Sequence, residues 1–162
     1  MKKLLSIISA IMITSTASLF AQTAATVPVK PRTPAQLKQI LMKEYSLPLD
    51  SKVVSIGMVQ NDSENNYQIA HVTRFWSMPY SPLKHSRYEL VVFEGDNAIG
   101  CYSNFIETKP LIKGNKAIFN GIDSTLGNEI DFSAGVPLMV TINGETYMFK
   151  KIDFVTPAYE EE

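Results

Sequence analysis

The chain has 162 residues, 45% hydrophobic and 19% charged, with 15 lysines and arginines against 16 acids for a net charge of −1. This is enough for one ordinary domain with a real core, and it lacks the strong basic balance expected of a nucleic-acid binder or of a surface drawn to anionic lipid. A single cysteine, Cys101, excludes an intramolecular disulfide, so apolar packing must carry stability.

The chain opens on Met1-Lys2-Lys3, continues through the uncharged and mostly apolar stretch 4–20, and reaches its first acid only at Glu44. A cationic start, a short apolar run and small residues beyond it are the physical requirements of an export signal. The pattern predicts a signal peptide over 1–21, cleaved after Ala21, with Ala17 and Ala25 as alternative sites. An uncleaved anchor would need about 20 mainly apolar residues, and Ser6, Ser9, Thr14, Ser15, Thr16 and Ser18 interrupt this one. No cysteine stands near the cleavage region to take a lipid. The leader resembles those of Gram-negative bacterial exported proteins, a likeness of address alone. The expected location is therefore periplasmic or secreted, without membrane insertion after cleavage. The remaining 141 residues hold 13 basic against 16 acidic side chains, a net charge of −3.

Residues 22–32 contain two prolines and no periodicity, and read as an extended or disordered leader. A helix follows over about 34–45. Thr33 suits the N-cap, Pro34 the first helical position, and Gln36 completes a capping box. Leu37, Ile40, Leu41 and Tyr45 then recur at helical spacing, and Pro48 ends the pattern.

Beyond Pro48 the period changes to two. Val54, Ile56 and Met58 mark a strand near 52–60, and the polar run 61–66 a turn. In the next strand Tyr67, Ile69, His71, Thr73 and Phe75 share one face, with Gln68, Ala70, Val72, Arg74 and Trp76 on the other. A loop is expected over 77–86, around Pro79 and Pro82, before a strand at Tyr88–Phe93 that returns through 94–97 into Ala98–Phe105. Asn143-Gly144 predicts a tight hairpin pairing Val140 with Tyr147, Thr141 with Thr146 and Met139 with Met148. Gly114-Asn115 can close another, at the cost of opposing Lys113 to Lys116. Asn120-Gly121 is a further break.

These elements predict a mainly β domain over 33–155: an antiparallel sandwich or partly open barrel of seven to nine short strands, with one N-terminal α-helix. No helix-length segment separates the strands, which excludes parallel β-α-β crossovers. Residues 156–162 read as an acidic solvated tail.

The chemistry-bearing residues are sparse. Two histidines and one cysteine fall short of a structural zinc set, and the loop 62–66 lacks the glycine and the closing glutamate of a calcium hand. No nucleophile elbow, phosphate loop or dinucleotide fingerprint is present, so neither metal nor cofactor is expected. His71 reads as a core histidine with one hydrogen bond, and Cys101 as a buried small hydrophobe. Glu89, Glu94, Glu129 and Asp131 sit on or beside strands, with nothing to single out a catalytic pair.

One segment stands above background. Residues 74–88 bring together the only tryptophan, further aromatics, two arginines, a lysine and a histidine. Trp, Tyr and Arg bury large areas at low entropic cost while keeping a polar handle. Arg74, Trp76, Tyr80, His85 and Arg87 are therefore the candidate binding residues, against the alternative that Phe75 and Trp76 end a core strand. The leading expectation is a non-catalytic binding module for a protein or an envelope polymer, an inhibitor, accessory or immunity-like factor. One rival is a small envelope hydrolase using His71 or His85 with Cys101 or a carboxylate. Another is a structural subunit of a surface assembly. The oligomeric state is left open.

Overall fold

The computed structural model describes residues 30–77 and 83–152. The expected signal, most of the leader, Tyr80 and the acidic tail lie outside the described residues.

The helix α1 spans Pro34–Glu44. The predicted capping box is formed on both sides: the Thr33 amide donates to Gln36 Oε1 at 2.9 Å, and the Gln36 amide to Thr33 Oγ1 at 3.4 Å. These bonds satisfy amides that the helix itself leaves without partners. Leu37 and Leu41, one turn apart, are fully buried. The leader is tied down where it meets the domain. Arg32 exchanges two bonds with the Gln68 side chain, at 2.9 and 2.8 Å, and its guanidinium pairs with Asp96.

The strands are β1 (Lys52–Gln60), β2 (Asn66–Ser77), β3 (Lys84–Glu94), β4 (Asn97–Phe105), β5 (Leu111–Lys113), β6 (Lys116–Ile118), β7 (Glu129–Asp131), β8 (Met139–Ile142) and β9 (Glu145–Lys151). Six form one antiparallel sheet in the order β1-β2-β3-β4-β9-β8, curled into a half-barrel, and β5-β6-β7 form a small second sheet. The mainly β architecture expected from the alternation is correct.

The expected loop over 77–86 is too wide. β2 continues to Ser77 and β3 starts at Lys84, so Trp76 pairs with His85 and Phe75 with Ser86. Residues 84–86, expected in the loop, thus belong to the ladder, while Pro79 and Pro82 lie outside the described residues.

β2 and β3 lie in the middle layer of three. Tyr67 through Val72 are buried without interruption, as are Glu89 through Phe93, because both sheet faces are covered. On one face, Ala70, Val72, Val91, Phe93 and Cys101 pack against Leu37 and Leu41 of α1. On the other, Ile69, Leu90, Val92, Tyr102 and Phe105 meet Ala117, Phe119, Ile130 and Phe132 from the small sheet and its flanks. Unbroken burial is expected of strands covered on both sides, and here it takes in the polar Gln68, His71 and Glu89 as well.

Two glycines permit close approaches. A side chain at Gly57, beside the bulge of β1, would lie 2.9 Å from Ile112 of β5. One at Gly100 would strike the Phe149 ring and lie 2.6 Å from the Lys150 carbonyl, where β9 crosses β4.

The Asn143-Gly144 hairpin has the predicted register, with both residues at positive φ. Lys113 does oppose Lys116. Lys116 reaches across to the next strand instead, 2.6 Å from Glu129 and 3.5 Å from Asp131, and those acids offset the like-charge pair. No helix among the described residues is long and apolar enough to cross a membrane.

Candidate functional site

Alternation along β2 and β3 sets which side chains share a face. On the helix side of the sheet three cross-strand rows follow one another: Trp76 with His85, Arg74 with Arg87, and Val72 with Glu89. Four of the five candidate residues thus belong to one surface beyond the end of α1. Tyr80, the fifth, is outside the described residues.

The outermost row is aromatic. The Trp76 and His85 rings stack with centroids 5.5 Å apart and planes 21° from parallel, and Trp76 is 43% exposed. Trp76 does stand near the end of a core strand, β2, as the alternative expected, but neither apolar cluster includes it.

The second row is cationic and organised from below. Glu89 is 1% exposed and accepts from Arg74 Nε at 3.0 Å. Arg87 Nε lies 3.4 Å from the other carboxylate oxygen, an ion pair without a hydrogen bond. The Arg74 guanidinium also sits 4.2 Å from the centroid of the Tyr45 ring, a cation–π contact. Tyr45 caps α1, so the helix C-terminus supplies the floor of the site. Its hydroxyl is 3.5 Å from Glu89 Oε1 and 3.4 Å from Cys101 Sγ, and Ser103 Oγ lies 3.6 Å from that sulfur. Burial first, and then the contact with Cys101, push the Tyr45 phenol well above the ordinary tyrosine range.

Glu89 and Tyr45 are the parts that sequence reasoning missed. Glu89 has the same parity as Arg87, and parity is a signal for a shared face. Its burial and its bond to Arg74 are tertiary facts.

Cys101 is buried in the helix-side cluster, as expected. His71 faces the opposite side of the sheet, where one ring nitrogen, Nε2, meets the Ile106 carbonyl at 3.1 Å and Nδ1 has no partner among the described residues. Burial lowers its pKa, the Ile106 bond opposes this, and Lys109 and Glu107 act weakly in opposite senses. A Cys101–His71 dyad therefore has the sheet between its members. His85 shares the Cys101 face but lies three rows away along β3, roughly 20 Å at the strand rise. Neither histidine is within proton-transfer reach of the thiol. Among the described residues no group of His, Cys, Asp and Glu is arranged to hold a metal ion.

No protein-family model matches this sequence, and no curated protein or solved structure matches it.

Proposed function

We propose that this protein is an exported, non-catalytic binding module whose contact surface is the face bearing Arg74, Trp76, His85 and Arg87, with Tyr80 adjoining in sequence. The observation that carries the reading is the exposed Trp76, stacked flat on His85 beside a pair of arginines oriented by a buried carboxylate. A large aromatic held in place by a neighbour loses little entropy on contact, and such residues with arginine dominate binding hot spots. Export rests on the cationic and apolar opening of the chain. The partner is a protein or an envelope polymer outside the cytosol.

The test is capture from native envelope and culture medium with the tagged protein, side by side with Trp76→Ala. The reading expects a retained partner that the variant loses, while the melting midpoint stays within a few degrees. Equal capture by both forms, or a variant that no longer folds, would refute it.

A further inference from the structure

We infer that the ligand of this face is an extended acidic protein segment, which presents a carboxylate to Arg87 and an apolar or aromatic side chain to the Trp76–His85 stack. The inference rests on the binding reading above and narrows its partner.

Arg74 and Arg87 are opposite one another but differ in availability. Arg74 is 19% exposed and committed, through Nε to Glu89 and through its guanidinium to the Tyr45 ring. Arg87 is 40% exposed, and its only charged partner among the described residues is Glu89, reached through Nε. Its terminal nitrogens meet no described acceptor. A guanidinium held at its root with its fork free matches a carboxylate in two-pronged geometry.

The sheet adds a longer-range field. At one end of the β1-β2-β3 ribbon, the two turns carry Asp62, Glu64, Glu94 and Asp96, against Lys30 and Arg32 of the segment that precedes α1. At the other end stand Lys52, Arg74, Lys84 and Arg87 against Asp50 and Glu89, with Glu107 and Lys109 cancelling. A chain that is negative overall therefore presents a positive end around the aromatic stack, which draws an anionic partner to this place.

Spacing and composition favour a peptide over a polysaccharide. Successive rows on one sheet face are two residues apart, roughly 6.6 Å, and same-face side chains of an extended peptide repeat at the same distance. A segment with an apolar residue at one position and an acid two residues on fits both rows together. The two outer rows contain no Asn, Gln or Asp to read sugar hydroxyls.

The probe is a fluorescein-labelled peptide, Ser-Phe-Ser-Glu-Ser-Glu, followed by anisotropy with the purified protein. Its partner peptide has glutamine in place of both glutamates, and polygalacturonate and oligo-dT serve as competing polyanions. Expected results are binding that weakens with salt, and a loss of roughly tenfold or more with the glutamine peptide or with Arg87→Gln, the size of one charge-assisted hydrogen bond. Arg87→Lys, which keeps the charge and loses the fork, should fall between. Equal binding of both peptides, stronger binding of either polymer, or no peptide binding overturns the inference. Loss of peptide binding alone leaves Trp76-dependent capture intact, whereas failure of the face itself abolishes both.

Discussion

Arg74 and Arg87 stand directly opposite each other across β2 and β3, and one buried carboxylate, that of Glu89, lies against both. Two like charges in facing positions repel, so the pair is stable only because Glu89 lies one row inward. Glu89→Gln removes that charge and leaves two guanidiniums with a neutral amide. Breaking a buried ion pair costs about 3–5 kcal/mol, and partial exposure of Arg87 reduces this to about 2–3 kcal/mol. The expected result is a lower denaturation midpoint with an unchanged m-value. A midpoint equal to that of the parent would show that Glu89 does not organise the arginines.

His71 makes stability depend on pH. Its folded pKa lies below the ordinary value of 6.5, chiefly because burial disfavours the imidazolium. The unfolded chain then binds the proton more readily than the folded one, so this contribution is complete above about pH 6.5 and declines as pH falls toward the folded pKa. The facing groups do not reverse the sign, since the raising effects of the Ile106 carbonyl and Glu107 are smaller than that of burial. Asp50, Asp123 and Asp131, all with lowered pKa values, act in the same sense at more acidic pH. Urea melts from pH 7.5 to 5 should therefore show falling stability, and His71→Leu should flatten that slope. An unchanged slope in the variant would assign the dependence elsewhere.

Gly100 is required by packing and not by backbone conformation. A methyl group there would collide with the Phe149 ring and the Lys150 carbonyl. The carbonyl belongs to the ladder that joins β9 to β4, so it cannot swing away as a side-chain tip would. Gly100→Ala should cost about 1–3 kcal/mol, the usual range for overpacking. Gly95→Ala meets no atom within 4 Å, although its φ of +56° adds backbone strain. Thermal melts of the two separate collision from strain, and a Gly100→Ala protein as stable as its parent would mean that β9 is free to shift.

Local signals were legible where a few neighbouring residues decide the structure. Thr33, Pro34 and Gln36 specify a helix start by themselves, and Asn143-Gly144 specifies a hairpin and its register. Alternation also placed Arg74 and Trp76 together on the face opposite His71. The missing parts depend on contacts distant in sequence. Tyr45 reaches Glu89 across 44 positions, and His71 meets Ile106 across 35. Nothing in one strand announces that a glutamate will be buried, because exposed and paired acids share the same parity pattern. The ladder takes in residues 84–86, expected in the loop around Pro79 and Pro82, for a similar reason. A proline limits its own donor and its neighbour's backbone, whereas the Trp76–His85 stack that accompanies the longer ladder is a cross-strand contact.

Tyr45 packs against the helix-side cluster that contains Cys101, which makes the thiol a reporter for that contact. The phenol ring lies under the Arg74 guanidinium while its hydroxyl touches both Glu89 and the thiol. Tyr45→Phe keeps the ring and loses two long hydroxyl contacts, so it should cost about 1 kcal/mol. Tyr45→Ala also removes the packing surface over Cys101, and large-to-small changes of this kind cost about 3 kcal/mol or more when the site cannot collapse. Cys101 is 2% exposed in the native protein. Alkylation must then wait for an opening event, and its rate follows the free energy of that opening. Iodoacetamide labelling under native conditions should be slow in the parent, little changed in Tyr45→Phe, and faster by roughly a hundredfold in Tyr45→Ala. If both variants label at the parental rate, access to the thiol does not run past Tyr45, and the helix C-terminus is not the cover of this site.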